Sequence, residues 1–83
     1  HQCLEDISIM RTLANIGVFS PADWVCAQAL VDYSLSSQTP KYLRFDSKPL
    51  EQIYENPSQL SIEQGFTELQ KGEDICLLST GGI

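Results

Sequence analysis

Four residues, Ser20-Pro21-Ala22-Asp23, constrain this chain more than any others. Ser20 can accept the first free amides of a helix, Pro21 has its φ already set for the first helical position, and Asp23 stands three residues after the cap. Together they make the acidic form of a capping box and predict a helix running to about Leu35. Ala22, Val25, Cys26, Ala29, Leu30 and Tyr33 recur at helical spacing and form its buried stripe. The turn-forming run SSQTP, residues 36–40, ends it. A short apolar segment lies on each side, IGVFS at 16–20 and KYLRF at 41–45, and each is read as a strand, with Gly17 the weak point of the first. Two short strands joined by one helix are the grammar of a parallel βαβ unit with a right-handed crossover, so the expected fold class is α/β.

The flanks are read around that unit. Residues 4–13, LEDISIMRTL, predict a short helix: Ile9, Met10 and Leu13 are apolar with Leu4 and Ile7 nearby, and the early Glu5 and Asp6 and late Arg11 suit the helix dipole. The order up to residue 46 is therefore helix, strand, helix, strand. Pro49 and Pro57 rule out one helix across 46–60, which reads as an irregular connector with a turn or short strand near Ile53. A new unit starts at Ser61, and Ile75-Cys76-Leu77-Leu78 is expected to be a buried strand ending in the glycine loop Ser79-Thr80-Gly81-Gly82. Such a strand should feed a helix and none follows, while the chain opens on its only histidine. The expectation is a piece of a larger enzyme, cut at both ends, the first cut in an active-site loop.

At 83 residues the chain is one small domain or a fragment, and a chain of this size buries only about 60 % of its unfolded surface. Eleven acidic against five basic residues give a net charge of −6, which argues against nucleic acid as a partner. The acids are scattered and read as solvated surface. Cys3, Cys26 and Cys76 are odd in number and widely spaced, so a reducing compartment and a cytoplasmic location are expected in place of a disulfide framework. With one histidine and no clustered thiols, no metal site within the chain is expected. No apolar run is long enough for a membrane span, and no basic-then-apolar leader is visible.

Two side chains stand out as carriers of chemistry. His1 is the only group that titrates near neutrality, and is either a substrate-contacting imidazole or an exposed residue with no role. Arg44 stands at the end of a predicted strand in an otherwise apolar segment. Ligands gather at the C-terminal ends of parallel strands, where a guanidinium can take a phosphate bidentately; the other reading is a surface arginine paired with an acid such as Asp46. The loop STGG at 79–82 lacks the spacing of a dinucleotide or nucleotide-phosphate motif. Trp24, Tyr33 and Tyr42 are read as packing residues, because no basic groove accompanies them.

Taken in order, His1-Gln2, Leu4-Glu5-Asp6, Met10-Arg11, Asn15, Pro21-Ala22-Asp23 and Tyr42-Leu43-Arg44 resemble the transketolase family, in particular its short bacterial and archaeal members that carry a C-terminal section. Gly65, Leu69, Gly72, Asp74 and the run LLSTG look like the start of that family's third domain, so the resemblance covers essentially the whole chain. Deoxyxylulose phosphate synthases are similar but fit HQCLEDISIM and KYLRF less well. Where many members continue with glycines after Tyr-Leu-Arg, this chain has Phe45-Asp46-Ser47-Lys48-Pro49.

The resemblance implies that residues 1–46 are the second half of a pyrimidine-binding domain, 47–60 a linker, and 61–83 the truncated start of the C-terminal domain. It implies a parent enzyme that uses thiamine diphosphate with Mg to move a two-carbon ketol unit between sugar phosphates. The cofactor's ligands, the metal ligands and the glutamate that protonates the pyrimidine belong elsewhere in the family's architecture, so the 83-residue chain alone is expected to be inactive. The resemblance makes His1 the catalytic candidate and Arg44 the substrate-phosphate contact. A second subunit, or a separate chain carrying an N-terminal section, is the implied partner, within a homo-oligomer. The alternative from another class is a non-catalytic dimerisation or assembly module with the same fold.

Overall fold

Strand formation at Gly17–Phe19 and Lys41–Leu43 follows from two short apolar segments that pair with each other. In the computed structural model, which describes residues 3–82, they form a two-stranded parallel sheet of β1 (Gly17–Phe19) and β2 (Lys41–Leu43). The register pairs Gly17 with Lys41, Val18 with Tyr42 and Phe19 with Leu43. It is extended at each end by Gly17 N–H to the Pro40 carbonyl (3.1 Å) and Arg44 N–H to the Phe19 carbonyl (2.9 Å). Helix α1 (Asp6–Arg11) precedes the sheet and α2 (Trp24–Ser36) connects its strands. The helix–strand–helix–strand order and the parallel pairing match the expectation from sequence. Asn15, at φ 64°, takes the left-handed conformation that asparagine tolerates and turns the chain from α1 into β1.

Alternation along the strands sends successive side chains to opposite faces. Phe19 faces α2, where its ring meets Tyr33 edge-on with centroids 6.1 Å apart, and the Lys41 ammonium lies 5.2 Å from the Tyr33 ring centre. The offset positions Tyr42 and Arg44 project to the other face and meet Asp6 of α1. The core lies beneath α2: Val25, Ala29 and Leu30 are buried there, together with Pro21 and Tyr54.

Three details depart from expectation. The helix is capped by Asp23, three residues later than Ser20: Asp23 is extended, and its Oδ1 accepts the Cys26 amide at 2.8 Å. Ser20 to Ala22 instead form the link from β1 to the helix. The Asp23 carboxylate has a further role that moves the cap. Its Oδ2 accepts the amides of Ile53 (2.7 Å) and Tyr54 (2.8 Å), which draws the connector against α2.

The connector is therefore packed and not merely a link. Trp24 Nε1 donates to Gln52 Oε1 at 3.1 Å, Gln52 Nε2 donates to the Tyr54 carbonyl, and a 3₁₀ turn at Pro57–Gln59 is closed by an Asn56–Gln59 capping box. The third departure is at Ile75–Leu78, which is irregular and exposed, Leu77 and Leu78 each at 91 %. A strand needs a neighbour for its amides and carbonyls, and among the described residues the only paired strands are β1 and β2. Cys3, Cys26 and Cys76 are free thiols. Among the described residues no helix is long and apolar enough to cross a membrane.

Candidate functional site

The polar cluster at the C-terminal end of β2 is built by period-two alternation. Tyr42 and Arg44 are two residues apart on an extended segment, so both side chains reach the same carboxylate, Asp6 in the first turn of α1. The Tyr42 hydroxyl donates to Asp6 Oδ2 at 2.7 Å, and Arg44 Nε donates to the same oxygen at 3.0 Å and to Oδ1 at 3.3 Å. The Tyr42 hydrogen bond, more than the Arg44 charge, holds the Asp6 carboxyl below the usual carboxylate range, against a smaller opposing effect of burial. The same bond to Asp6 pushes the Tyr42 phenol up, because ionising it would place two anions together. The pair is thus fixed as phenol and carboxylate, and the carboxylate orients the guanidinium.

The rest of the guanidinium faces outward. Its side chain is 32 % exposed, and Nη1 lies 3.8 Å from Asp46 Oδ1, two residues further along. Asp46 Oδ2 accepts the Gly82 amide at 2.8 Å, which ties the strand end to the glycine loop. A Cβ on Gly82 would stand 2.6 Å from Leu50 Cδ2 and 2.9 Å from Asp46 Oδ2, so the ends of those two side chains would have to shift, and Gly81 sits at φ +71°. Arg44 therefore stands between two acids, one close and one at arm's length, for a local net charge of −1. On the α1 side, Ile7, Arg11, Ile16, Val18, Ser20 and Thr80 line an open cleft beside this cluster.

Asp23 forms the second polar centre, with a different character. It is 3 % exposed and all its partners are backbone amides. Burial alone would raise its pKa, but the amides of Tyr54, Cys26, Ile53 and Val25 outweigh it and the carboxyl is lowered. An acid so fully engaged has no oxygen to offer a substrate; it is a structural clamp. Beside it, burial pushes the Cys26 thiol up, which makes that cysteine a poor nucleophile.

Of the two residues singled out from sequence, His1 lies outside the described residues. Arg44 is at the strand end as expected, and it is paired with both Asp6 and Asp46. Asp46 is the partner that the alternative reading of Arg44 named, whereas Asp6, Tyr42 and Gly82 were not anticipated at this site. The Tyr42–Arg44 spacing was a readable signal, since i and i+2 on a strand share a face; the thirty-odd residues separating either partner from Asp6 or Gly82 carried none. Among the described residues no three His, Cys, Asp or Glu side chains converge to hold a metal ion. The Mg ion that the resemblance implies thus finds no ligand set among the described residues.

The chain is similar to three curated proteins. Over 82 residues it is 34 % identical to a transketolase C-terminal section of Methanocaldococcus jannaschii, covering 98 % of this chain and 26 % of that protein. It is 30 % identical over 86 aligned positions to an apulose-4-phosphate transketolase subunit of Actinobacillus succinogenes, covering 98 % and 26 %. It is 28 % identical over 81 residues to a 6-deoxy-6-sulfo-D-fructose transketolase subunit of a Clostridium species, covering 98 % and 25 %. The chain thus spans about a quarter of the length of the curated relatives it matches. No protein-family model matches it, and no solved structure matches it significantly.

Proposed function

This chain belongs to the transketolase family, and we propose that it is the part of a thiamine-dependent transferase comprising the second half of the pyrimidine-binding domain (1–46), a linker (47–60) and the start of the C-terminal domain (61–83). The whole enzyme moves a two-carbon ketol unit from a ketose phosphate to an aldose phosphate. The observation that carries this reading is the likeness of 98 % of the chain, in order, to proteins named as transketolase sections or subunits. Those names also support a whole enzyme assembled from this section and a separate partner chain; in the proposal, that chain carries the N-terminal section and the assembly pairs into a homo-oligomer. Thiamine diphosphate, when bound with Mg, supplies the electron sink for breaking the carbon–carbon bond. Its ligands belong to the other chain or domain.

What this chain contributes is substrate recognition. Arg44, at the C-terminal end of a parallel strand and with Nε held by Asp6, presents its outer edge to the substrate phosphate. Asp6 and Tyr42 are positioning residues: they restrict the guanidinium in advance, so less side-chain freedom is lost when the phosphate binds. His1 contacts the sugar hydroxyls beside the reacting carbon and handles a proton there.

The test is an assay of the full-length protein with its partner chain, thiamine diphosphate and Mg, offered a ketose phosphate donor and an aldose phosphate acceptor. Ketol transfer is expected from the complete assembly, with neither turnover nor tight cofactor binding by the 83-residue chain alone. A loaded assembly that transfers nothing, or a chain active by itself, would overturn the reading.

A further inference from the structure

We propose that Asp46 is a specificity-determining residue: its carboxylate occupies an anion seat formed by the Arg44 guanidinium and the Gly82 amide, and a substrate's charged terminus must displace it, which penalises a dianionic phosphate more than a singly charged group. The inference rests on the substrate role assigned to Arg44.

The seat is defined by two donors that converge on one carboxylate. Nη1 of Arg44 lies 3.8 Å from Asp46 Oδ1, and the Gly82 amide donates to Oδ2 at 2.8 Å. A guanidinium and a glycine-loop amide aimed at two oxygens of one group is the arrangement that proteins use for oxyanions. The loop is shaped for it: Gly81 is at φ +71°, and no side chain fits at Gly82 without displacing Asp46 or Leu50.

The two acids beside Arg44 differ in how firmly they are held. Asp6 is 14 % exposed, sits 3.0 Å from Nε and also accepts the Tyr42 hydroxyl, so it stays in place when a ligand arrives. Asp46 is 33 % exposed and its contact with Nη1 is long, so rotation of one side chain releases it to solvent. A singly charged terminus, such as a sulfonate or carboxylate, replaces Asp46 charge for charge. A phosphate dianion brings one more negative charge into a cluster that already holds two acids and one base, and the displaced Asp46 remains nearby to repel it. Substrates with a singly charged terminus are therefore favoured over what Arg44 alone would select.

The experiment is equilibrium titration of the purified full-length protein with two probes, inorganic phosphate at about pH 8, where it is mainly dianionic, and methanesulfonate. Asp46→Asn keeps an oxygen for the Gly82 amide and removes the charge. It should tighten phosphate binding about five- to tenfold, while methanesulfonate tightens by no more than about threefold. Asp46→Ser, which removes the carboxylate without adding an amide, should give the same order. Adding Arg44→Gln should erase the gain for both probes. Phosphate affinity unchanged or weakened in both Asp46 variants, an equal gain for the two probes, or a gain that survives Arg44→Gln overturns the inference. Binding is read without turnover, so its failure is distinct from a failure to transfer ketol units.

Discussion

Replacing Asp23 separates helix capping from the attachment of the connector. Its Oδ1 serves the Cys26 amide and its Oδ2 the amides of Ile53 and Tyr54, all at 2.7–2.8 Å in a residue that is 3 % exposed. Loss of an N-cap costs about 1 kcal/mol. Each buried amide left without an acceptor costs about 1–3 kcal/mol more. Asp23→Ala should therefore destabilise by about 3–7 kcal/mol. For 83 residues the whole stability is about 4–12 kcal/mol, so the loss is a large share of it. Asp23→Ser keeps an oxygen for the cap and loses the reach to the connector, and should fall between wild type and Ala. Urea unfolding followed by far-UV circular dichroism gives the energies, and amide hydrogen exchange gives the location: Ile53 and Tyr54 should lose protection in both variants, Cys26 only in Ala. If Asp23→Ser proves as stable as wild type with Ile53 and Tyr54 still protected, the clamp has no energetic weight and the connector is held by Tyr54 burial alone. The pH dependence follows from the same bonds. Asp23 is depressed below its unfolded value, so its contribution is complete above the usual carboxylate pKa and disappears as pH falls through the lower, folded one.

Three further outcomes follow from the site and its surroundings. Tyr42→Phe removes the largest influence lowering Asp6, so the Asp6 carboxyl should titrate closer to its ordinary value, read from its carbon NMR shift against pH, and acid unfolding should begin at higher pH. Gly82→Ala places a methyl group against Leu50 and Asp46, and should abolish the Asp46–Gly82 hydrogen bond, seen as loss of exchange protection at residue 82. Leu77→Asn, at a side chain that is 91 % exposed, should change the stability of the 83-residue chain by no more than about 0.5 kcal/mol, measured by urea unfolding.

Local chemistry explains what the sequence disclosed. The βαβ unit was legible because its signals are short-range: a proline turn, helical spacing from Ala22 to Tyr33, and apolar segments on each side. The cap was misplaced by one turn because Ser20 and Asp23 both suit the position, and the choice is made by Ile53 and Tyr54, which lie thirty residues away. Ile75–Leu78 was read as a buried strand because apolar runs announce a need for burial without naming the neighbour that provides it. Arg44 was found from its place at a strand end, yet the acids that set its charge environment arrive from α1 and from the segment after β2. Electrostatic surroundings are a property of the folded chain, and only the Tyr42–Arg44 spacing and the nearness of Asp46 in sequence foretold any part of them.

The most direct measurement is the split between KM and kcat for ketol transfer by Arg44→Gln in the complete, cofactor-loaded assembly. Removing one charge-assisted contact should raise KM for a phosphorylated ketose about ten- to a hundredfold, leave kcat within a few-fold, and change KM for the unphosphorylated sugar little. Equal effects on both sugars, or a fall in kcat with KM unchanged, would mean that Arg44 does not hold the substrate phosphate.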